Sequence, residues 1–153
     1  MEHNGFEVLE QDIIRGGTLE AVVRKRKQTD LSGFLVYLVT LREQLGAFAE
    51  ECRRDGKKIA VWGASHMAFA VLSTLQFGQA VSYIIDSAPF KQGKFAPASH
   101  VPIVAPEHFF DEPVNCIVVV APSYAAEIAQ TAKERFGADI EVYSLNGIEL
   151  IRM

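Results

Sequence analysis

Between residues 57 and 153 short apolar runs alternate with helix-like patterns, and this alternation restricts the chain more than any other feature. KIAVWG (58–63), VSYIID (81–86), PIVA (102–105), NCIVVVA (115–121) and IEVYSL (140–145) read as strands. Residues 66–77, a brief turn opened by Pro106, and residues 123–136, closed by Gly137, read as the helices between them. NCIVVVA lacks the polar alternation of a half-exposed strand, as expected for one buried on both faces. Strands that alternate with helices imply a parallel sheet joined by right-handed crossovers. The pattern therefore predicts an α/β, Rossmann-like domain with a mostly parallel sheet and helices on both faces. IELI (148–151), after Asn146-Gly147, predicts a short final strand.

Two further regions precede this core. FEVLE (6–10) and GTLEAVVRK (17–25), with a turn at Gly16-Gly17, predict a β-hairpin. A lone two-stranded hairpin is marginally stable in water, so residues 1–29 read as the remnant of another domain's sheet. The rest, 30–153, reads as one domain that begins with a long helix over 30–56, capped at Asp30 or Ser32. Phe34, Leu35, Leu38, Leu41, Leu45, Phe48 and Cys52 recur at spacings of three and four and mark its apolar face. A helix of about 25 residues is roughly 37 Å long and must bury that stripe.

Composition closes off several classes. With 153 residues and 49% hydrophobic content the chain can build a core without disulfide or metal staples. A net charge of −4 gives no global attraction to nucleic acid or an anionic membrane. The basic run Arg24–Lys27 reads as a solvated linker, because nucleic-acid binding would need more basic surface. No apolar run approaches the roughly 20 residues of a membrane span, and MEHNGFEVLE has no signal-peptide pattern, so a cytoplasmic protein is expected. Cys52 and Cys116 read as buried free thiols with no histidine partner for nucleophilic catalysis. His3, His100 and His108 show no metal spacing, so no metal is expected.

The candidate site lies where the first core strand runs into Gly63-Ala64-Ser65-His66. Gly63 permits a tight turn, Ala64 and Ser65 let the backbone approach a ligand, and Ala68 lets the helix pack close to the strand. The free N–H groups of the helix start would face a phosphate. His66 could donate a further hydrogen bond there. Asp86 ends the next strand, where an acidic side chain accepts ribose hydroxyls in dinucleotide-binding folds. The loop after it carries Phe90, Lys91, Gln92, Lys94 and Phe95; an aromatic could stack on a base or sugar, and the two lysines could neutralise a diphosphate. Ser123 and Tyr124 open the helix after NCIVVVA, with Ser123 read as its N-cap and secondarily as a ligand contact. The same residues also fit a plain tight turn, with Asp86 capping the next loop and the lysines merely solvated. No catalytic pair is evident.

Taken together, IIRGGTLEAVV (13–23), the long helix, VWGASHMAFAVLSTL (61–75) and IIDSAPFKQGKFAPASHVPIVAPE (84–107) resemble the C-terminal domain of S-adenosylmethionine-dependent sugar C-methyltransferases. Gly16-Gly17-Thr18-Leu19, Trp62-Gly63-Ala64, Asp86 with Lys91-Gln92-Gly93, and Pro102 to Glu107 fill the places of the family's motifs. Met67 and Phe69 stand where many members have lysine and asparagine. The resemblance implies a nucleotide-sugar-binding module. It also implies that the zinc-binding segment, the methyl-donor domain and its catalytic Tyr/Glu/His segment lie elsewhere. The chain is then expected to begin within the donor domain's final hairpin, near Gly5-Phe6-Glu7-Val8. On that expectation it is not a complete enzyme and binds no cofactor alone, S-adenosylmethionine belonging to the donor domain. Expected partners are a nucleotide-sugar-like molecule, a donor domain or chain, and further copies in a homo-oligomer. The alternatives are a stand-alone NAD-like nucleotide-binding domain and an assembly module with no small-molecule ligand.

Overall fold

Four parallel strands form the centre of a six-stranded sheet, and their sequences explain why they sit there. In a computed structural model, which describes residues 5–14, 16–25 and 30–153, the core strands are β3 (Ile59–Trp62), β4 (Val81–Ile85), β5 (Ile103–Val104), β6 (Cys116–Val119), β7 (Glu141–Asn146) and β8 (Glu149–Arg152). Their order is β5-β4-β3-β6-β7-β8. All neighbours pair in parallel except β8, which returns antiparallel to β7 through the Asn146-Gly147 turn. All four residues of β6 are buried, as a continuous apolar run in a doubly covered strand requires.

The chain divides into two compact units, residues 1–33 and 34–153. In the first, β1 (Phe6–Ile14) pairs antiparallel with β2 (Thr18–Lys25), and Glu7 faces and bonds Arg24 across the hairpin. Strand β1 runs four residues past the expected FEVLE, because Gln11-Asp12-Ile13-Ile14 continue the pairing despite their mixed polarity. Phe6, Leu9, Ile13, Leu19 and Val22 are all exposed on this hairpin. His3, Arg26 and Lys27 lie outside the described residues.

In the second unit the core has two layers. Helix α1 (Ser32–Arg54) contributes Leu41, Leu45 and Cys52 to one face of the sheet. Helix α2 (His66–Thr74) adds Ala68, Val71 and Leu72 to that face. The opposite face is covered by Ala125, Ala129 and Ala132 of helix α3 (Ala125–Phe136), packed over Ala60, Ile117, Val119 and Val142. Small alanines let α3 lie close to the β-branched strand surface. Each fully buried Val, Leu or Ile contributes roughly 1.5–3 kcal/mol relative to exposure.

The stripe read on α1 is only partly buried. Leu38 and Phe48 pack at its margin, while Phe34 and Leu35 are 57% and 58% exposed. The reason is length: 23 residues of helix span about 35 Å, whereas four-residue β3 spans about 13 Å. Tyr37 Oη donates to the Gly147 carbonyl in the turn after β7, so the amino half of α1 overhangs the carboxyl end of the sheet.

Helix α2 ends at Thr74 rather than 77. The Ser73 hydroxyl donates back to the Phe69 carbonyl at 2.7 Å, and Gln76 takes a left-handed conformation (φ 59°) before a 3₁₀ turn over Phe77–Ala80. Cys52 and Cys116 are free, buried thiols whose sulfurs lie 3.8 Å apart. Burial pushes the Cys116 thiol up to about 12, which leaves it an inert packing group. Among the described residues no helix is long and apolar enough to cross a membrane, and no cluster of metal-ligating side chains occurs.

Candidate functional site

Gly63 makes the turn out of β3. Its φ of 99° lies where side-chain-bearing residues are strained, and its N–H donates to the Ile85 carbonyl at 2.7 Å. Ser65 then caps α2: its backbone is extended, and its hydroxyl oxygen accepts from Ala68 N–H at 3.2 Å. Serine is a preferred N-cap residue, so this role was readable from its place before the helix. His66 and Met67 are exposed and open the helix, where backbone N–H groups have no partner within the helix.

Asp86 organises the rest. It is 7% exposed, yet its carboxylate is satisfied by three donors. Oδ2 accepts from Ala64 N–H at 2.7 Å and from the Lys91 ammonium at 3.0 Å, and Oδ1 accepts from Ala88 N–H at 2.8 Å. Burial pushes this carboxyl up, but the bonds from Ala88, Lys91 and Ala64 together outweigh burial and hold it below the ordinary carboxylate value. Lys91 also donates to the Ala64 carbonyl at 2.9 Å. The Gln92 side-chain amide donates to the Asp86 carbonyl at 2.9 Å. Gly93, at φ 73°, then turns the chain so that its N–H reaches the Ile103 carbonyl at 2.9 Å.

Lys91-Gln92-Gly93 is therefore a clasp that fastens the loop after β4 onto the turn after β3. Lys91, expected to neutralise a diphosphate, has its ammonium on the protein itself. Asp86, expected to accept ribose hydroxyls, accepts backbone and ammonium donors. Sequence reasoning missed the clasp because a lysine that reaches a backbone carbonyl 27 residues earlier in the chain leaves no local spacing signal.

The remaining candidates are exposed around this clasp. Phe90 is 71% exposed, with the Lys91 ammonium 5.9 Å from its ring centre. Lys94 is exposed while its carbonyl accepts from Ile103 N–H; with Phe95 it leads the antiparallel return that covers the free edge of β5. Lys94 and Phe95 also line a groove of about 440 Å³ with Ile103, Glu107, His108 and Asp111. Ser123 and Tyr124 are exposed at the carboxyl end of β6, next to β3. Ser123 sits inside a 3₁₀ turn over Pro122–Tyr124, and α3 begins after Tyr124 with no side-chain cap, so the expected N-cap role is not taken. The structure thus ties Ala64, Asp86, Lys91 and Gln92 together by hydrogen bonds, and Gly63 to Ile85, the residue before Asp86. Ser65 and His66 follow directly from the turn. No hydrogen bond links Lys94, Phe90, Ser123 or Tyr124 to the clasp through their side chains, among the described residues.

Comparison with known proteins gives a family and two relatives. A family model described as the C-methyltransferase C-terminal domain matches residues 18–142. The C-methyltransferase NovU of Streptomyces niveus is 32% identical over 95 residues, 61% of this chain and 23% of that protein. The chain thus aligns with about a quarter of the length of this curated relative. Among solved structures, UDP-D-quinovosamine 4-dehydrogenase from Vibrio fischeri is similar with a TM-score of 0.47 at 16% identity. That similarity covers 63% of this chain and 93% of that one.

Proposed function

The chain belongs to the C-methyltransferase C-terminal domain family, and on that footing we propose that it binds a nucleotide sugar at the carboxyl end of its parallel sheet and presents the sugar to a methyl-donor domain. The observation that carries this reading is the Asp86–Lys91–Ala64 clasp. It holds the start of α2 and the loop over residues 87–95 at one end of the sheet, where open α/β folds bind ligands.

In this reading the diphosphate meets the N–H groups of His66 and Met67 at the start of α2, with the His66 ring beside them. Lys94 supplies the exposed cation, since Lys91 is engaged by Asp86. Phe90 offers an exposed ring for a base or sugar face, and Ser123 and Tyr124 flank the neighbouring strand end. Methyl transfer to a sugar carbon next to a ketone needs a base to remove its proton. Asp86, the carboxylate of the clasp, is held by three donors and is not free for that work, so this reading assigns base and S-adenosylmethionine to the donor domain.

An NAD-like reading is weaker, because it asks Asp86 to accept ribose hydroxyls while three donors already occupy it. Titration calorimetry separates the readings. Heat on adding dTDP-glucose, with a dissociation constant in the micromolar range, and none with NAD or S-adenosylmethionine, is the expected result. Binding of NAD but not dTDP-glucose would replace this reading with the second, and silence with all three would leave an assembly role.

A further inference from the structure

A cleft in the second unit lies at the other end of the sheet. It has a volume of about 680 Å³ and runs between the carboxyl half of α1 and the amino ends of β3 and β4. Its apolar wall is formed by Leu45, Ala49, Ile59, Leu75, Phe77 and Ala80. Its rim carries four cations, Arg42, Arg53, Lys57 and Lys58, against one carboxylate, Glu50.

Three of those cations are already matched: Arg53 with Glu50, Lys57 with Glu141 and Lys58 with Glu112. Arg42 has no carboxylate partner among the described residues. Its guanidinium reaches across to the neutral Gln76 side-chain oxygen at 2.5 Å. Gln76 holds that position with a left-handed backbone, which is unfavourable for a residue with a side chain.

Gly46 adds a second, independent sign. It lies inside α1, where glycine is a poorer helix former than alanine. A Cβ built there would meet nothing within 4 Å, so no close packing requires the glycine. What its missing side chain leaves is open space on the lining of the cleft.

We propose that this cleft is a second ligand site, for a small molecule with an apolar body and an oxyanion head of the phosphate or carboxylate class. The head pairs with Arg42, whose planar fork matches either oxyanion. The apolar body lies over Ala49 and Ala80, above a floor of buried Leu45 and Phe77, in the space that Gly46 keeps open. The site is separate from the carboxyl-end mouth and does not depend on what binds there.

The test uses ¹⁵N-labelled protein titrated with phenyl phosphate and with benzoate, reading the Arg42 Nε–H and Gln76 side-chain amide signals. Saturable shifts at both residues with at least one probe are expected. Inorganic phosphate, which lacks the apolar body, and benzyl alcohol, which lacks the head, should each bind about tenfold more weakly or worse. Arg42→Gln should weaken the better probe about tenfold, the lower end for a lost charge-assisted hydrogen bond. Gly46→Leu should abolish the shifts while the melting temperature stays the same or rises. Neither probe moving these signals, inorganic phosphate binding as well as the probes, or Gly46→Leu binding as the parent does would each overturn the proposal.

Discussion

The Lys91 ammonium bridges two partners at once, Asp86 Oδ2 at 3.0 Å and the Ala64 carbonyl at 2.9 Å. It therefore holds the loop after β4 to the turn after β3, while Lys94, three residues on, keeps an exposed side chain. The two lysines should separate in experiment. Lys91→Ala leaves a buried carboxylate short of one donor and should cost about 1–3 kcal/mol of stability. Lys94→Ala should change stability by no more than about 0.5 kcal/mol and weaken dTDP-glucose binding about tenfold. Denaturant melts and calorimetry on both variants check this. Equal stability in the two variants would remove the clasp.

Acid should loosen the same contact. The Asp86 carboxyl is held below its ordinary value of 3.8 in the fold, so the folded state resists its protonation more than the unfolded chain does. Its stabilisation is complete above that unfolded value and is lost as the pH falls from there through the lower folded value. Asp86→Asn lacks the carboxylate throughout. The stability gap between parent and Asp86→Asn should therefore be widest near neutral pH and narrow below pH 3.8. A gap independent of pH would show that Asp86 does not titrate as a partner of Lys91.

Gly78 stands where no side chain fits. An added Cβ would lie 2.8 Å from Ser99 Cβ and 3.1 Å from the Leu72 carbonyl oxygen. The carbonyl belongs to α2 and cannot turn aside as a side-chain tip would. Gly78→Ala should destabilise the protein by about 1–3 kcal/mol, measured by thermal or urea unfolding. An unchanged midpoint would mean that the 3₁₀ turn over Phe77–Ala80 yields freely.

These examples show what the sequence makes legible. KIAVWG, VSYIID, NCIVVVA and IEVYSL became the parallel strands because a short, mostly apolar run bounded by turn residues has few other uses. Asp86 could be placed at a strand end from the same pattern, and the Trp62-Gly63-Ala64 turn with it. The partners of Asp86 could not, because hydrogen bonds between Ala64, Ala88 and Lys91 depend on how two loops meet in space. The end of α2 was missed in part for a similar reason: Gln76 answers to Arg42 and Gly78 to Ser99, both distant in sequence. The exposure of Phe34 and Leu35 escaped the helical periodicity, since period reports which face is apolar and not how far the sheet extends beneath it.

That exposed half of α1 should associate with another surface. Phe34, Leu35, Val36 and Val39 are all more than half exposed and fan over roughly 200° of the helix, where an isolated surface helix would carry charge on its outer side. Sedimentation velocity should show concentration-dependent self-association, and Val36→Lys with Val39→Lys should shift the equilibrium toward monomer without lowering the melting temperature. A parent protein that is monomeric at every concentration would contradict this.

The most direct measurement is an amide chemical-shift map of the ¹⁵N-labelled protein with and without dTDP-glucose. Binding at the carboxyl end of the sheet predicts saturable shifts at His66, Met67, Ala88 and Lys94, with β8 and the residues around Arg42 unmoved. Shifts confined to the amino-end cleft, or no shifts at saturating ligand, would contradict a nucleotide-sugar site at the clasped mouth.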